Sequence, residues 1–207
     1  MPRKKEYFKT FKNIVALFNK EGKNVMFIAL IQTRRSIRHF LPRPVEAEKL
    51  DLLLEAALRA PSSRGLNPWE FIVVTDHDLL EKLSRAKQHG SAFLKNAPLG
   101  IVVCADPDQC DVWVEDASIA SLLIQLAAES LELGSCWIQI RERMHDGTKS
   151  AQEYVAETLH IPAKMKVESI IAIGYPGEKK PPHGKDELLY EKIHWGIYGR
   201  PYYKAAV

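Results

Sequence analysis

Cysteine is scarce in this chain and unpaired in spacing. Cys104, Cys110 and Cys136 are an odd number with no C-x-x-C among them, which excludes a disulfide scaffold or a thiolate zinc cage and suits a reducing, cytoplasmic setting. Long apolar runs are missing as well. The longest candidate, residues 111–133, carries Asp111, Glu115, Asp116, Glu129 and Glu132, so no stretch supplies the roughly 18 residues a bilayer-spanning helix needs. No G-x-G-x-x-G opens a helix, and neither a nucleophile elbow nor H-E-x-x-H occurs. The fingerprints of a Rossmann dinucleotide fold, a serine hydrolase and a zinc peptidase are therefore all absent. No metal site is expected.

What is present is one domain's worth of ordinary globular sequence with an uneven charge. Residues 1–24 hold Arg3, Lys4, Lys5, Lys9, Lys12, Lys20 and Lys23 against Glu6 and Glu21, a net of +5, so within a whole-chain charge of +3 the remainder is −2 and the basicity belongs to this leader. Phe8, Phe11, Val15 and Phe18 recur at helical spacing. The leader is expected to form a basic amphipathic helix whose aromatic face docks on the domain, 25–207, or on a partner subunit. An anionic membrane, nucleic acid or an import signal is the alternative reading of the same lysines.

The rest alternates strand and helix signals. A helix is expected from Glu46 to Ala60, entered after Pro44 and stopped by Pro61, with Leu50, Leu53, Leu54, Ala57 and Leu58 on one face. "EFIVVTD" reads as a strand, Asp76 or Asp78 as the cap of the next helix, and "LGIVVCAD" after Pro98 as a second strand, joined to the first by a helical crossover. Residues 111–133 predict a long, Ala- and Ser-rich central helix, apolar almost all round and ended by Gly134. "SCWIQI", a helix over 150–159 and "VESIIAIG" follow, and residues 177–187, "GEKKPPHGKDE", read as a solvated loop. Four strands and five or six helices without a Rossmann fingerprint predict a three-layer α+β domain, a mixed central sheet flanked by helices.

The octamer "TRRSIRHF", 33–40, concentrates three arginines around one serine. Arginine offers a planar fork of donors that pairs bidentately with phosphate oxygens, and Arg34, Arg35 and Arg38 fall within one helical turn or its adjoining loop. A terminal phosphate monoester fits such a fork. His39 beside them is taken as structural.

Four stretches together, "RRSIRHF" at 34–40, "AALRAPSSRGLNPWEFIVV" at 56–74, "LGSCWIQ" at 133–139 and "IIAIGYPGE" at 170–178, resemble in order and spacing the flavin-dependent nitroreductase family. That resemblance runs from about residue 27 to the end. It implies a nitroreductase-like fold and an FMN-dependent oxidoreductase using NADH or NADPH to reduce nitroaromatics, quinones or similar acceptors by a ping-pong route. It also implies a homodimer with each flavin at the subunit boundary. Residue by residue, it assigns Arg34, Arg35, Ser36 and Arg38 to the FMN phosphate, ribityl chain and pyrimidine edge. Pro61, Ser62 and Ser63 fall on a flavin-facing loop, where Asn67 replaces the family's glutamine and Gly65 a common asparagine. Main-chain donors along Trp137, Ile138 and Gln139 to Arg141 would approach flavin N5 and the ring edge, and Arg200 would reach the phosphate from a C-terminal arm. No side chain is needed as catalyst, since the flavin carries the chemistry, and Cys136 is expected to be a small buried hydrophobe. Reductive dehalogenation, enoate or dehydropeptide oxidation and flavin destruction use the same scaffold, and an electron-transfer flavoprotein without its own substrate is the rival from another class.

Overall fold

Proline and aspartate punctuate the chain much as their chemistry requires. The computed structural model describes residues 25–202, so the expected leader helix lies outside the described residues. Helix α1 spans Val25–Thr33 and α2 Ala47–Leu58, entered from an extended Glu46. Pro61 follows and cannot continue the helix. Strand β1, Trp69–Val74, leads to α3, His77–Ser84, whose cap is Asp76, its carboxylate accepting the Leu79 N–H. Strand β2 is Leu99–Ala105, α4 Trp113–Ser130, β3 Gly134–Gln139, α5 Ala151–Leu159 and β4 Lys166–Gly174. Ser150 and Glu153 close a reciprocal capping box at the start of α5.

The strands form one sheet in the order β1-β2-β4-β3. Every pairing between them is antiparallel, so the parallel component of the expected mixed sheet is confined to a single bridge, Ser36 to Ser135. Helix α3 accordingly returns the chain to an antiparallel neighbour instead of making a parallel crossover. The sequence misleads here for a physical reason: β2 is buried along its whole length, and a strand covered on both faces reads as the continuous apolar run of a parallel strand.

The three layers are present. On one face α3, the short 3₁₀ segment 92–96 and α5 bury Leu80, Leu83, Leu94 and Val155 against Val102, Ile138 and Ile170. On the other, α2 and α4 bury Leu53, Ala57, Ile124 and Ala128 against Leu99, Ile101, Val103, Ile171 and Ile173. Alternate residues of β2 serve the two cores, as the two-residue side-chain period demands.

Two expectations for α4 change. Its end is set by Glu132, not Gly134: Glu132 takes a left-handed φ of 62°, and the Leu133 N–H reaches back to the Ala128 carbonyl at 2.9 Å, a Schellman closure. Gly134 is glycine for another reason, because a Cβ there would lie 2.8 Å from the Ile37 Cβ. Nor is α4 covered all round. Ile119 and Leu122 are exposed on it, as are Phe27, Ile28 and Ile31 on α1 and Leu52 and Leu58 on α2.

Candidate active site

The arginine octamer leaves α1 and crosses the sheet end where β3 begins and β4 finishes. Ile37 donates its N–H to Ser135 O at 3.0 Å, Leu41 to Tyr175 O at 2.9 Å, and Gly177 to His39 O at 2.8 Å. Residues 177–181 hold this segment in place, so the expected solvated loop is partly structural. The Glu178 carboxylate accepts the Arg38 N–H at 2.6 Å and the His39 N–H at 3.2 Å. The Arg38 N–H is the first cause holding Glu178 below the usual carboxylate range. Lys180 donates to Ser36 O at 2.7 Å and pairs with Glu178 at 3.1 Å. Arg35 donates to the Pro181 carbonyl. His39 is structural as expected, its Nδ1 2.9 Å from Gly177 O.

These contacts consume main-chain atoms and leave the guanidinium groups of Arg34 and Arg38 without a carboxylate partner among the described residues. The Arg38 guanidinium lies over the Phe93 ring at 5.8 Å. Lys87 joins it from the loop after α3: burial, then the positive charge of Arg143, push its ammonium down from the ordinary lysine value, while Cys136 acts in the opposite sense. Cys136 itself is 1% exposed, and burial raises its thiol against the nearby Arg38 and Ser36. It is the inert hydrophobe expected. Lys87, Arg143 and Lys180 escaped sequence reasoning because no motif surrounds them, and Glu178, the last residue of "IIAIGYPGE", was given no role of its own.

Strand β3 is the sheet's edge. Because Ser135 O faces outward to Ile37 while the Ile140 N–H turns inward to Glu168 O at 3.1 Å, alternation directs the main chain of Trp137 and Gln139 to the open edge and that of Ile138 to β4. Ile138's side chain is fully buried in the core. Gln139's amide is occupied: its Oε1 accepts Trp137 Nε1–H at 2.9 Å, and its Nε2 donates to Arg141 O and Glu168 Oε1, both at 3.2 Å. The Arg141 N–H also goes to Glu168 O, at 3.1 Å. Glu142, with φ 56°, follows in a turn closed by Arg143 N–H to Ile140 O at 3.1 Å.

The loop 61–67 lies elsewhere. It precedes β1, whose first residue Trp69 aligns with Ala105 at the end of β2, whereas Ser36 sits beside the beginning of β3. The two stretches occupy opposite corners of the sheet. The nine residues of β4 cover ~30 Å at ~3.3 Å per residue, and three strand spacings add ~14 Å across. Within the loop, Ser62 Oγ lies 2.7 Å from Asn67 Oδ1 and accepts the Asn67 N–H at 2.9 Å. Arg64, Gly65 and Asn67 all have positive φ, and nothing lies within 4 Å of where a Gly65 Cβ would stand. The loop is latched to α4 by Asp116, 3% exposed, which accepts the Ser63 N–H at 2.9 Å and the Cys110 thiol at 3.3 Å. Pro61 is exposed and Ser63 half-buried. Arg200 lies in an exposed terminal turn closed by Trp195 N–H to Arg200 O at 2.7 Å; no described hydrogen bond or ion pair joins it to Arg34–Arg38.

Residues 31–90 and 84–175 match the model of the Nitroreductase family. The chain belongs to the nitroreductase family. Among solved structures in that fold, an FMN-dependent nitroreductase from Clostridium difficile R20291 is 51% identical, with a TM-score of 0.82 over 83% of this chain and 99% of that one. A protein of Archaeoglobus fulgidus with the provisional name NADH dehydrogenase/NAD(P)H nitroreductase is 38% identical over 172 residues, 81% of this chain and 95% of its own length. An FMN reductase [NAD(P)H] of Bacillus subtilis is 28% identical over 191 residues, 81% of this chain and 74% of its own. The donors of this site suit the FMN that two of these names contain. Two arginines without carboxylate partners and a lysine can receive a phosphate monoester, and an open strand edge can pair with the polar rim of a planar ring.

Proposed function

We propose that this family member is an FMN-dependent oxidoreductase that uses NADH or NADPH to reduce nitroaromatic, quinone or similar acceptors, working as a cytoplasmic homodimer. The single observation that carries the reading is the gathering of Arg38 and Lys87 around Cys136 of β3, with Arg34 four residues before Arg38, beside the open edge of that strand. Arg34 and Arg38 would hold the phosphate, Ser36 and Arg35 the polar chain beside it, and the outward N–H groups of Trp137 and Gln139 the ring edge. FMN, when bound, supplies a two-electron centre that accepts hydride from a nicotinamide and returns it to the second substrate. The protein binds, orients and excludes competing reactions.

The homodimer draws support from two features. Pro61, Ser62 and Ser63 sit at the far corner of the sheet from Arg34, beyond the reach of one mononucleotide, so both stretches can meet one flavin only if a second copy lends its loop. The exposed apolar strip on α1, α2 and α4 is the kind of surface such a copy would cover. Leu188, Leu189, Trp195, Ile197 and Tyr198 are exposed in the terminal segment and fit an arm laid on the partner, a setting in which Arg200 would approach the partner's phosphate site. Three buried free cysteines suit a reducing compartment.

The absorption spectrum of the purified protein and chemical identification of the released flavin test the cofactor; FAD, or no flavin, rejects the reading. Initial rates over a grid of NADH and menadione concentrations are expected to give parallel double-reciprocal lines, since one flavin face serves the two substrates in turn. Intersecting lines would refute the shared face, and negligible turnover with bound FMN would leave a flavin carrier without a substrate of its own.

A further inference from the structure

Glu168 stands out among the buried charged residues because neither FMN nor substrate requires it in the proposed function. It is 3% exposed, and its Oε2 is one of two buried side-chain polar atoms without a hydrogen-bond partner among the described residues. Its position comes from a β-bulge. Val103 aligns with Ser169 and Cys104 with Val167, leaving Glu168 as the extra residue. Val167 and Ile170 both belong to the core under α3 and α5, while Ser169 Oγ meets Ser121 of α4 at 3.0 Å. The bulge has turned Glu168 from the first face to the α4 face, directly beneath Gln139, which is how bulges re-aim side chains.

From there Glu168 holds the end of β3 twice. Its main-chain carbonyl accepts both the Ile140 and Arg141 N–H groups at 3.1 Å. Its Oε1 accepts from Gln139 Nε2 at 3.2 Å, and that same nitrogen donates to Arg141 O. We propose that Glu168 is a positioning residue: it fixes the turn 140–143 and the outward donors of β3, and its buried carboxyl couples solution pH to the electronic environment of the flavin. The coupling to flavin rests on the placement of FMN along this edge; the fixing of the turn does not.

Burial favours the neutral form, and the charged neighbours act in both directions. Arg141, in the turn after β3, draws the Glu168 carboxyl down, but its guanidinium is already paired with Glu142 at 2.8 Å. Glu142 itself and Glu115 of α4 add negative charge. Gln139 is neutral and donates a single bond. Burial is the largest influence and raises the Glu168 carboxyl above its ordinary value. Loss of that proton with rising pH would place an uncompensated negative charge under the turn. The change disfavours electron uptake by a flavin on the adjacent edge and perturbs its spectrum.

Two variants separate the roles. Glu168→Gln stays neutral and keeps an acceptor for Gln139, while Glu168→Leu removes the acceptor. In flavin-free protein, amide hydrogen exchange at Ile140 and Arg141 is expected to quicken about tenfold in Glu168→Leu, the loss of roughly one hydrogen bond, and to stay near wild type in Glu168→Gln. Across a pH titration, the infrared C=O band of a protonated carboxyl that is lost with rising pH should be present in the wild type and missing from Glu168→Gln. In FMN-loaded protein, the wild-type flavin spectrum and midpoint potential should carry a pH-dependent step that Glu168→Gln lacks. Unchanged exchange in Glu168→Leu, or a carboxyl band that survives in Glu168→Gln, overturns the proposal. A loosened turn with no pH step in wild-type flavin signals supports the positioning and rejects the flavin's place beside it.

Discussion

An Arg38→Ala protein is expected to hold FMN roughly tenfold to a hundredfold more weakly for each charge-assisted hydrogen bond lost, at about 1.5 to 3 kcal/mol per bond. The size follows from the state of the guanidinium before any ligand arrives. No described carboxylate neutralises it, and it lies over the Phe93 face at 5.8 Å and near the Cys136 thiol. Binding a phosphate therefore breaks no strong existing interaction. The backbone of Arg38 is secured independently by Glu178 at 2.6 Å, so removal of the side chain should leave the fold intact. Isothermal titration of FMN into flavin-free protein gives the affinity, with circular dichroism as the check on folding. Unchanged affinity in a folded Arg38→Ala protein removes this arginine from the site. Arg38→Lys should recover part of the loss, because an ammonium supplies charge without the bidentate fork.

Leu122→Glu is expected to convert the protein to a monomer and empty it of FMN. Leu122 is 47% exposed and Ile119 40% exposed on the central helix, neighbours at helical spacing on the strip that a second copy would bury. An isologous contact repeats the lesion, placing one carboxylate from each copy in a desolvated interface. Each buried ion costs several kcal/mol, so the dimer dissociation constant should rise by at least about a thousandfold. Since Leu122 is already exposed within a single chain, the monomer should fold normally. Sedimentation velocity and the flavin-to-protein absorbance ratio measure the two outcomes together. A Leu122→Glu protein that remains dimeric and yellow would move the interface off α4.

Much of the secondary structure was legible because its punctuation is local. Pro61, Asp76, Pro98 and the Ser150–Glu153 pair act within a few residues of where they stand, and the helices and strands they bound are found close to the expected places. Strand direction was not legible. Helices cover both faces of this antiparallel sheet, and the resulting apolar run in β2 carries no mark of its partners' direction. The arginine octamer was conspicuous through composition alone. Glu178 and Lys180 were hidden in a run of charge that reads as solvent-facing, since nothing in "GEKKPPHGKDE" tells which polar atoms will meet Ser36 and Arg38 across the fold. Glu168 was harder still. Its burial depends on a one-residue slip in β4 against β2, a property of two strands that neither possesses alone.

The separation of Ser63 from Arg38 onto opposite corners also bears on inheritance. In the proposed assembly each flavin draws its arginines from one subunit and its serine loop from the other. A subunit damaged at Ser63 therefore deprives its neighbour's cofactor, while one damaged at Arg38 harms its own. Mixed together, the two inactive proteins form hybrids in which both lesions fall on the same flavin and the other flavin is whole. Co-expression of the two defective genes should restore one working centre per hybrid, and two defective copies of one kind should restore none. A cell carrying both alleles would regain activity that neither allele encodes alone.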